Sequence, residues 1–216
     1  MFRWNILAPA AWRELVCGAE VLEEDGSGVK VLRLPDQTIV KLFRRKRLLS
    51  SALFYPYARR FADNALLLAE RGIPCPTVLT LARVPSIVRD VVRYQPLPGN
   101  TLREELARPT NVPENARATL TAFGVFVAHL HEKGIYFRSL HLGNVVHTAE
   151  GMFGLIDFAD LSCRSRPLGV SLRRRNFRHL FRLPKDRALL LSDDGAAFSA
   201  GYISASQNFV PRIPIR

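Results

Sequence analysis

The residues from Gly134 to Asp160 constrain this chain more than any other stretch. Gly134-Ile-Tyr-Phe-Arg-Ser-Leu-His-Leu-Gly-Asn144 and Leu155-Ile-Asp-Phe-Ala-Asp160 read as two polar loops set against short apolar strands. The first loop carries Arg138, Ser139, His141 and Asn144, and the second carries Asp157 and Asp160. Val145-Val-His147 and Met152-Phe-Gly-Leu-Ile156 supply the strands between them. Such a pattern suits phosphoryl transfer, which needs a group that orients the acceptor hydroxyl beside an amide and a carboxylate that hold magnesium on nucleotide phosphates. Asn144 and Asp157, thirteen residues apart across the predicted hairpin, fit the metal-holding pair.

The segment resembles the catalytic and metal-binding loops of protein-kinase-like phosphotransferases, in which His-Arg-Asp, four residues and an Asn precede Asp-Phe-Gly. Phe137-Arg-Ser139 stands at the first motif, Asn144 at the Asn, and Asp157-Phe-Ala159 at the last. With the Leu140-His141 pair and its flanks, the stretch looks most like the bacterial lipopolysaccharide core kinases, the Kdo and heptose kinase family. That family would place an Asp where this chain has Ser139. The resemblance implies ATP and Mg2+ as cofactors, Asn144 and Asp157 as metal ligands, and Ser139, His141 and Asp160 as the groups facing the acceptor. It implies an α+β, two-lobed fold: an N-terminal lobe over 1–95, an antiparallel sheet plus one helix, and a shortened, mainly helical C-terminal lobe over 96–216.

Charge narrows the partners. A formal net charge of +12 and a pI near 10.5 favour an anionic one: a nucleotide, a phosphorylated glycolipid, an acidic membrane surface or nucleic acid. Nucleic acid is disfavoured, because neither aromatic residues interleaved with basic ones nor zinc-finger spacing is visible. Three widely spaced cysteines, Cys17, Cys75 and Cys163, suit a reducing cytoplasm better than a disulfide scaffold. The apolar run near Met1 is broken by Pro9 and followed by Arg13 and Glu14, a poor signal peptide. No stretch reaches the roughly 18 apolar residues of a membrane span. The expectation is a cytoplasmic protein with at most peripheral contact on the cytoplasmic face of the inner membrane.

Upstream, Ala19–Leu22, Val29–Leu34 and Thr38–Phe43 read as a strand meander. Gly26 and Gly28, in the turn Asp25-Gly-Ser-Gly28, form an ordinary hairpin turn or a phosphate cradle. Lys41 sits among Ile39, Val40, Leu42 and Phe43, where a charge needs an anionic partner. In the kinase-like reading this is nucleotide phosphate; otherwise Lys41 guards an edge strand. A helix is predicted over 49–71, closed by Gly72 and Pro74. The resemblance calls for a Glu on its inner face, yet the matching place falls near Asp63 and Asn64.

Val78–Leu81 and Ile87–Val92 read as further strands. Tyr94-Gln-Pro-Leu-Pro-Gly-Asn-Thr-Leu102 looks like the hinge of kinase-like enzymes, where Tyr94 would meet the adenine, and it turns into a helix starting near Thr101. Residues 116–132 form a helix with Leu120, Phe123, Val127 and Leu130 on one face. Past Asp160 one more helix is predicted, around Leu172–Phe181. The short region after Asp160 suits a small or lipid-linked acceptor. Arg173, Arg174 and Arg178 are candidate contacts with the phosphates of an anionic glycolipid such as the lipopolysaccharide core, or with an acidic membrane surface. They serve equally well as a solvated helix face.

Overall fold

The structure is a computed structural model that describes residues 2–44, 55–108 and 112–207. The described residues form an α+β structure with a mainly antiparallel N-terminal sheet, and the chain divides into two compact units, Met1–Leu97 and Pro98–Arg216.

The first unit holds β1 (Trp4–Ile6), α1 (Pro9–Leu15), β2 (Glu20–Asp25), β3 (Gly28–Arg33), β4 (Ile39–Arg44), α2 (Tyr57–Glu70), β5 (Thr77–Val84) and β6 (Arg89–Gln95). Its strands make one sheet in the order β1-β5-β6-β4-β3-β2, antiparallel except where β1 runs parallel to β5. Side chains alternate between two covered faces, as strand geometry requires. Leu32, Val40, Ala82, Val84 and Val91 meet Trp12 of α1 on one face. On the other, Phe61 of α2 packs its ring against Phe43 and Tyr94.

The predicted meander matches β2 to β4, with boundaries moved by one to three residues. The helix expected over 49–71 differs: α2 starts at Tyr57, and Pro56 before it is extended at φ −59°, ψ 148°. A proline pushes the residue ahead of it, here Tyr55, out of helical conformation, so a helix cannot run through this pair. The earlier part of that prediction, 49–54, lies outside the described residues. The strand expected from Ile87 begins instead at Arg89, because Pro85–Ile87 form a single 3-10 turn and Val88 adopts a left-handed conformation.

The second unit holds β7 (Asn100–Thr101), α3 (Leu102–Leu106), α4 (Pro113–Glu132), β8 (Ile135–Phe137), β9 (Val145–His147), β10 (Phe153–Leu155), β11 (Leu161–Cys163), α5 (Val170–Leu180), α6 (Pro184–Leu190) and α7 (Ala196–Ala205). Thr101 caps α3 reciprocally with Glu104, a Thr-x-x-Glu capping box. Phe123, Phe153, Phe177, Phe198 and Tyr202 form a continuous aromatic core. Helices α4 and α7 touch backbone to backbone. A side chain at Gly124 would strike the Phe198 carbonyl, and one at Gly201 would strike that of Thr121.

Among the described residues three helices follow Asp160 where one was expected. Helix α6 is short and begins at a proline, and α7, Ala-Ala-Phe-Ser-Ala-Gly-Tyr-Ile-Ser-Ala, has no polar face to produce a helical period. Among the described residues no helix is long and apolar enough to cross a membrane.

Candidate functional site

The two polar loops are brought together by two small antiparallel ladders. Gly134 ends α4 at φ 71°, where a side chain would meet the carbonyls of Arg164 and Arg166 at 2.5 and 2.6 Å. Only glycine suits that place. The chain then enters β8, which pairs with β11 through Phe137 and Leu161. This register sets the residues just after Phe137 beside those just before Leu161. Accordingly, Ser139 Oγ donates to Asp160 Oδ2 at 2.6 Å. The other oxygen, Asp160 Oδ1, is buried and has no hydrogen-bond partner among the described residues.

The second ladder aligns the remaining pair. β9 and β10 form a hairpin in which Val145 faces Leu155, and the Ile156 N–H donates to the Asn144 carbonyl at 3.0 Å. Asp157 is therefore the residue immediately beyond Asn144's backbone partner. It is exposed, with φ 52°. A non-glycine residue in this region is uncommon and marks a constrained position. The Asn144 Nδ2 group donates to the Ser139 carbonyl at 2.9 Å, which fixes the amide and leaves its oxygen as the acceptor atom.

An ion pair built on a buried carboxylate holds the loop. Arg103 of α3 grips Asp186 of α6 through Nε at 2.6 Å and an NH2 contact at 3.0 Å. Asp186 is fully buried and also accepts the Leu142 N–H at 2.9 Å. A side chain at Gly143 would collide with the same guanidinium at 2.5 Å. His141 Nδ1 lies 3.4 Å from Arg103; burial first, and then the Arg103 charge, hold its pKa below the ordinary value. That histidine is neutral near pH 7 and is partly engaged by the anchor. Neither Arg103 nor Asp186 stood out in the sequence, and only the Thr101-x-x-Glu104 cap hinted that α3 begins close to the site.

A second buried network fixes the end of β8. Asn176 of α5 donates to the Phe137 carbonyl at 2.6 Å and meets His131 Nε2 at 3.0 Å. His131 Nδ1 is 2.8 Å from the Tyr202 hydroxyl. Burial pushes the His131 pKa down to about 4.

The other candidates lie in the first unit. Lys41 is on β4, which pairs with β3 on one side and β6 on the other. The strand is interior, so the edge-strand explanation of this lysine falls. Its Nζ lies 5.9 Å from the Phe43 ring centroid, on the face that α2 covers. The expected acid on α2 has another engagement, since Asp63 accepts from Arg59 at 2.8 Å and Tyr55 at 3.0 Å. Asn64 is buried. A carboxylate missed in the sequence, Asp90, stands opposite Phe43 and diagonal to Lys41 in the sheet. It is 3% exposed and paired with Arg83 at 2.9 Å.

Tyr94 pairs with Ile39 and rests on Phe61. The turn at Gly26 and Gly28 satisfies its own groups. The Ser27 N–H donates to Asp25, its carbonyl accepts from Arg89, and its hydroxyl accepts from Arg44. A hairpin turn accounts for those glycines.

Arg173 must be removed from the predicted anion-binding surface. It is 4% exposed, and its guanidinium binds the Leu168 carbonyl, Glu132, Tyr202 and Ser206. By helical spacing it faces the core with Asn176, Phe177 and Leu180, whereas Arg174 and Arg178 are exposed.

Among the described residues no three His, Cys, Asp or Glu side chains gather into a metal-binding group. Magnesium does not require one, since it is commonly held by one or two protein oxygens with substrate phosphates and water completing the shell. A carboxylate at Asp157, one residue beyond the backbone partner of Asn144, and an oriented amide oxygen at Asn144 are ligand types that fit that chemistry. In comparisons with known proteins, no protein-family model and no curated protein matched this chain.

Proposed function

We propose that this protein is a kinase-like ATP-dependent phosphotransferase acting on a hydroxyl of an anionic sugar or glycolipid acceptor, with the lipopolysaccharide inner core as the acceptor class that the motif resemblance favours. The observation that carries the reading is the convergence of Ser139, Asn144, Asp157 and Asp160 on one pair of loops, tied by the Ser139–Asp160 and Asn144–Ser139 hydrogen bonds. Asn144 and Asp157 would hold magnesium; Lys41 is the first unit's own candidate for an anionic ligand. The metal, when bound, neutralises phosphate charge, which is the main electrostatic requirement of a loose phosphoryl-transfer transition state.

In this scheme Ser139 orients the acceptor and Asp160 takes its proton. The new bond joins the acceptor oxygen to the terminal phosphorus, the bond from that phosphorus to the bridging oxygen breaks, and ADP leaves. A serine hydroxyl is a poor base, so the proton-accepting group is the carboxylate bonded to it. His141 is a weaker choice, because its Nδ1 lies 3.4 Å from the Arg103 guanidinium, whose charge disfavours an imidazolium there. Exposed Arg174 and Arg178 would contribute to association with an acidic surface.

A second reading has its own support. With an acid absent at position 139, the same loops would serve a nucleotide-binding module without turnover. The experiment that separates them follows transfer of labelled terminal phosphate from ATP to a deacylated lipopolysaccharide core. Transfer by the wild type that is lost in Asp160→Asn supports the enzyme. No transfer alongside magnesium-dependent ATP binding supports the module.

A further inference from the structure

We propose that Arg138, Arg175 and Arg182 form an oxyanion subsite that takes a phosphate monoester on a small, soluble carrier, with His179 at its floor. Helix α5 carries Arg175 one turn before His179, and Arg182 follows three residues after it, just past the helix end, so all three fall on neighbouring positions of one side. The ring of His179 meets β8 through Tyr136, whose hydroxyl is 3.1 Å from Nε2. Arg138 lies two residues beyond Tyr136, in the turn that follows β8. The three arginines are exposed, and the described residues give their guanidiniums no carboxylate partner, unlike Arg103 and Arg173.

The electrostatic environment of His179 agrees. Burial lowers its pKa first, and then Arg182, Arg175 and Arg138 lower it further, while Asp160 opposes them. The cluster is thus net positive beside Ser139 and Asp160. Guanidiniums suit this task, since their planar donors match phosphate oxygens in pairs. If the phosphotransfer reading holds, the subsite seats an acceptor that already carries a phosphate near the hydroxyl to be modified. Only that last step rests on the reading.

The test uses the full chain in a phosphate-free, low-salt buffer with no nucleotide. Inorganic phosphate and glucose 6-phosphate are titrated by calorimetry, and the His179 midpoint is followed by NMR. Both ligands should bind, glucose itself should not, and the His179 midpoint should rise as bound phosphate offsets the arginine charges. Arg175→Gln/Arg182→Gln should weaken glucose 6-phosphate by about tenfold or more. Arg108→Gln/Arg117→Gln, which removes equal charge from exposed positions outside the cluster, should leave affinity within about twofold, as expected for rim charges.

Equal weakening by both double variants, or an unmoved His179 midpoint, overturns the subsite. So does binding only to vesicles containing phosphatidic acid. Phosphate binding with these properties in a protein that fails to bind ATP leaves the subsite standing and rejects the phosphotransferase instead.

Discussion

Ser139 and Asp160 form a single hydrogen-bonded unit, with Oγ donating to Oδ2 at 2.6 Å, and this changes what an acid at position 139 would do. The motif resemblance suggests that Ser139→Asp repairs the site. In the structure it would set two carboxylates within hydrogen-bond distance, and one of them would keep a proton near neutrality. Ser139→Asp alone should therefore be no faster than the wild type, whereas Ser139→Asp/Asp160→Asn should exceed Ser139→Asp. Steady-state transfer rates of the two variants check this. Asp160→Asn alone should lose ~10²–10⁴ in rate if Asp160 is the general base.

Asp186 should matter to stability more than its distance in sequence from the loops suggests. Asp186→Ala leaves the Arg103 guanidinium and the Leu142 N–H without their acceptor. The expected loss is about 3 kcal/mol, at the low end for a broken buried pair because Arg103 reaches solvent. Urea unfolding measures it, and a loss under about 1 kcal/mol would show that the anchor is dispensable.

His131 predicts an acid limb in the stability profile. Its folded pKa is lowered from 6.5 to about 4, so the unfolded chain binds the proton more readily. The sign follows directly: the neutral ring's contribution is complete above about pH 6.5 and is lost as pH falls toward 4. At about 1.4 kcal/mol per pKa unit the full effect is on the order of 3 kcal/mol. Melting temperatures between those limits should fall steeply in the wild type and more shallowly in His131→Gln.

The contact between α4 and α7 should tolerate no side chain at Gly201. A methyl group there meets the Thr121 backbone, which has no rotamer by which to move aside. Gly201→Ala should cost about 1–3 kcal/mol or more, as overpacking does. Gly26→Ala, where nothing lies within contact distance, should be far milder, and calorimetric unfolding of the two variants measures the difference.

Much of the sheet was legible because β-branched and apolar residues alternate between clear turns, as at Ile39 to Phe43. The loops were legible because polar residues in an apolar neighbourhood stand out, as Asn144 and Asp157 do. What escaped notice were interactions distant in sequence. Nothing local says that Arg103 pairs with Asp186, that Asp90 lies diagonal to Lys41, or that Ser139 bonds to Asp160. Arg173 misled for the related reason that a run of arginines looks uniformly solvated, although a helix turns one of every few inward. Helix α7 was missed because it is apolar all round, and periodicity cannot register a helix without a polar side.

The most direct test of the central claim is calorimetric titration of ATP, with magnesium and with EDTA, into the wild type and Asp157→Asn. Asparagine tolerates the left-handed backbone at this position, so the substitution removes charge without adding strain. The account predicts that magnesium tightens ATP binding to the wild type and that Asp157→Asn abolishes this gain while leaving the melting temperature unchanged. Absence of ATP binding to the wild type at about 1 mM, the upper end of ordinary substrate affinities, or an undiminished magnesium gain in Asp157→Asn, would contradict it.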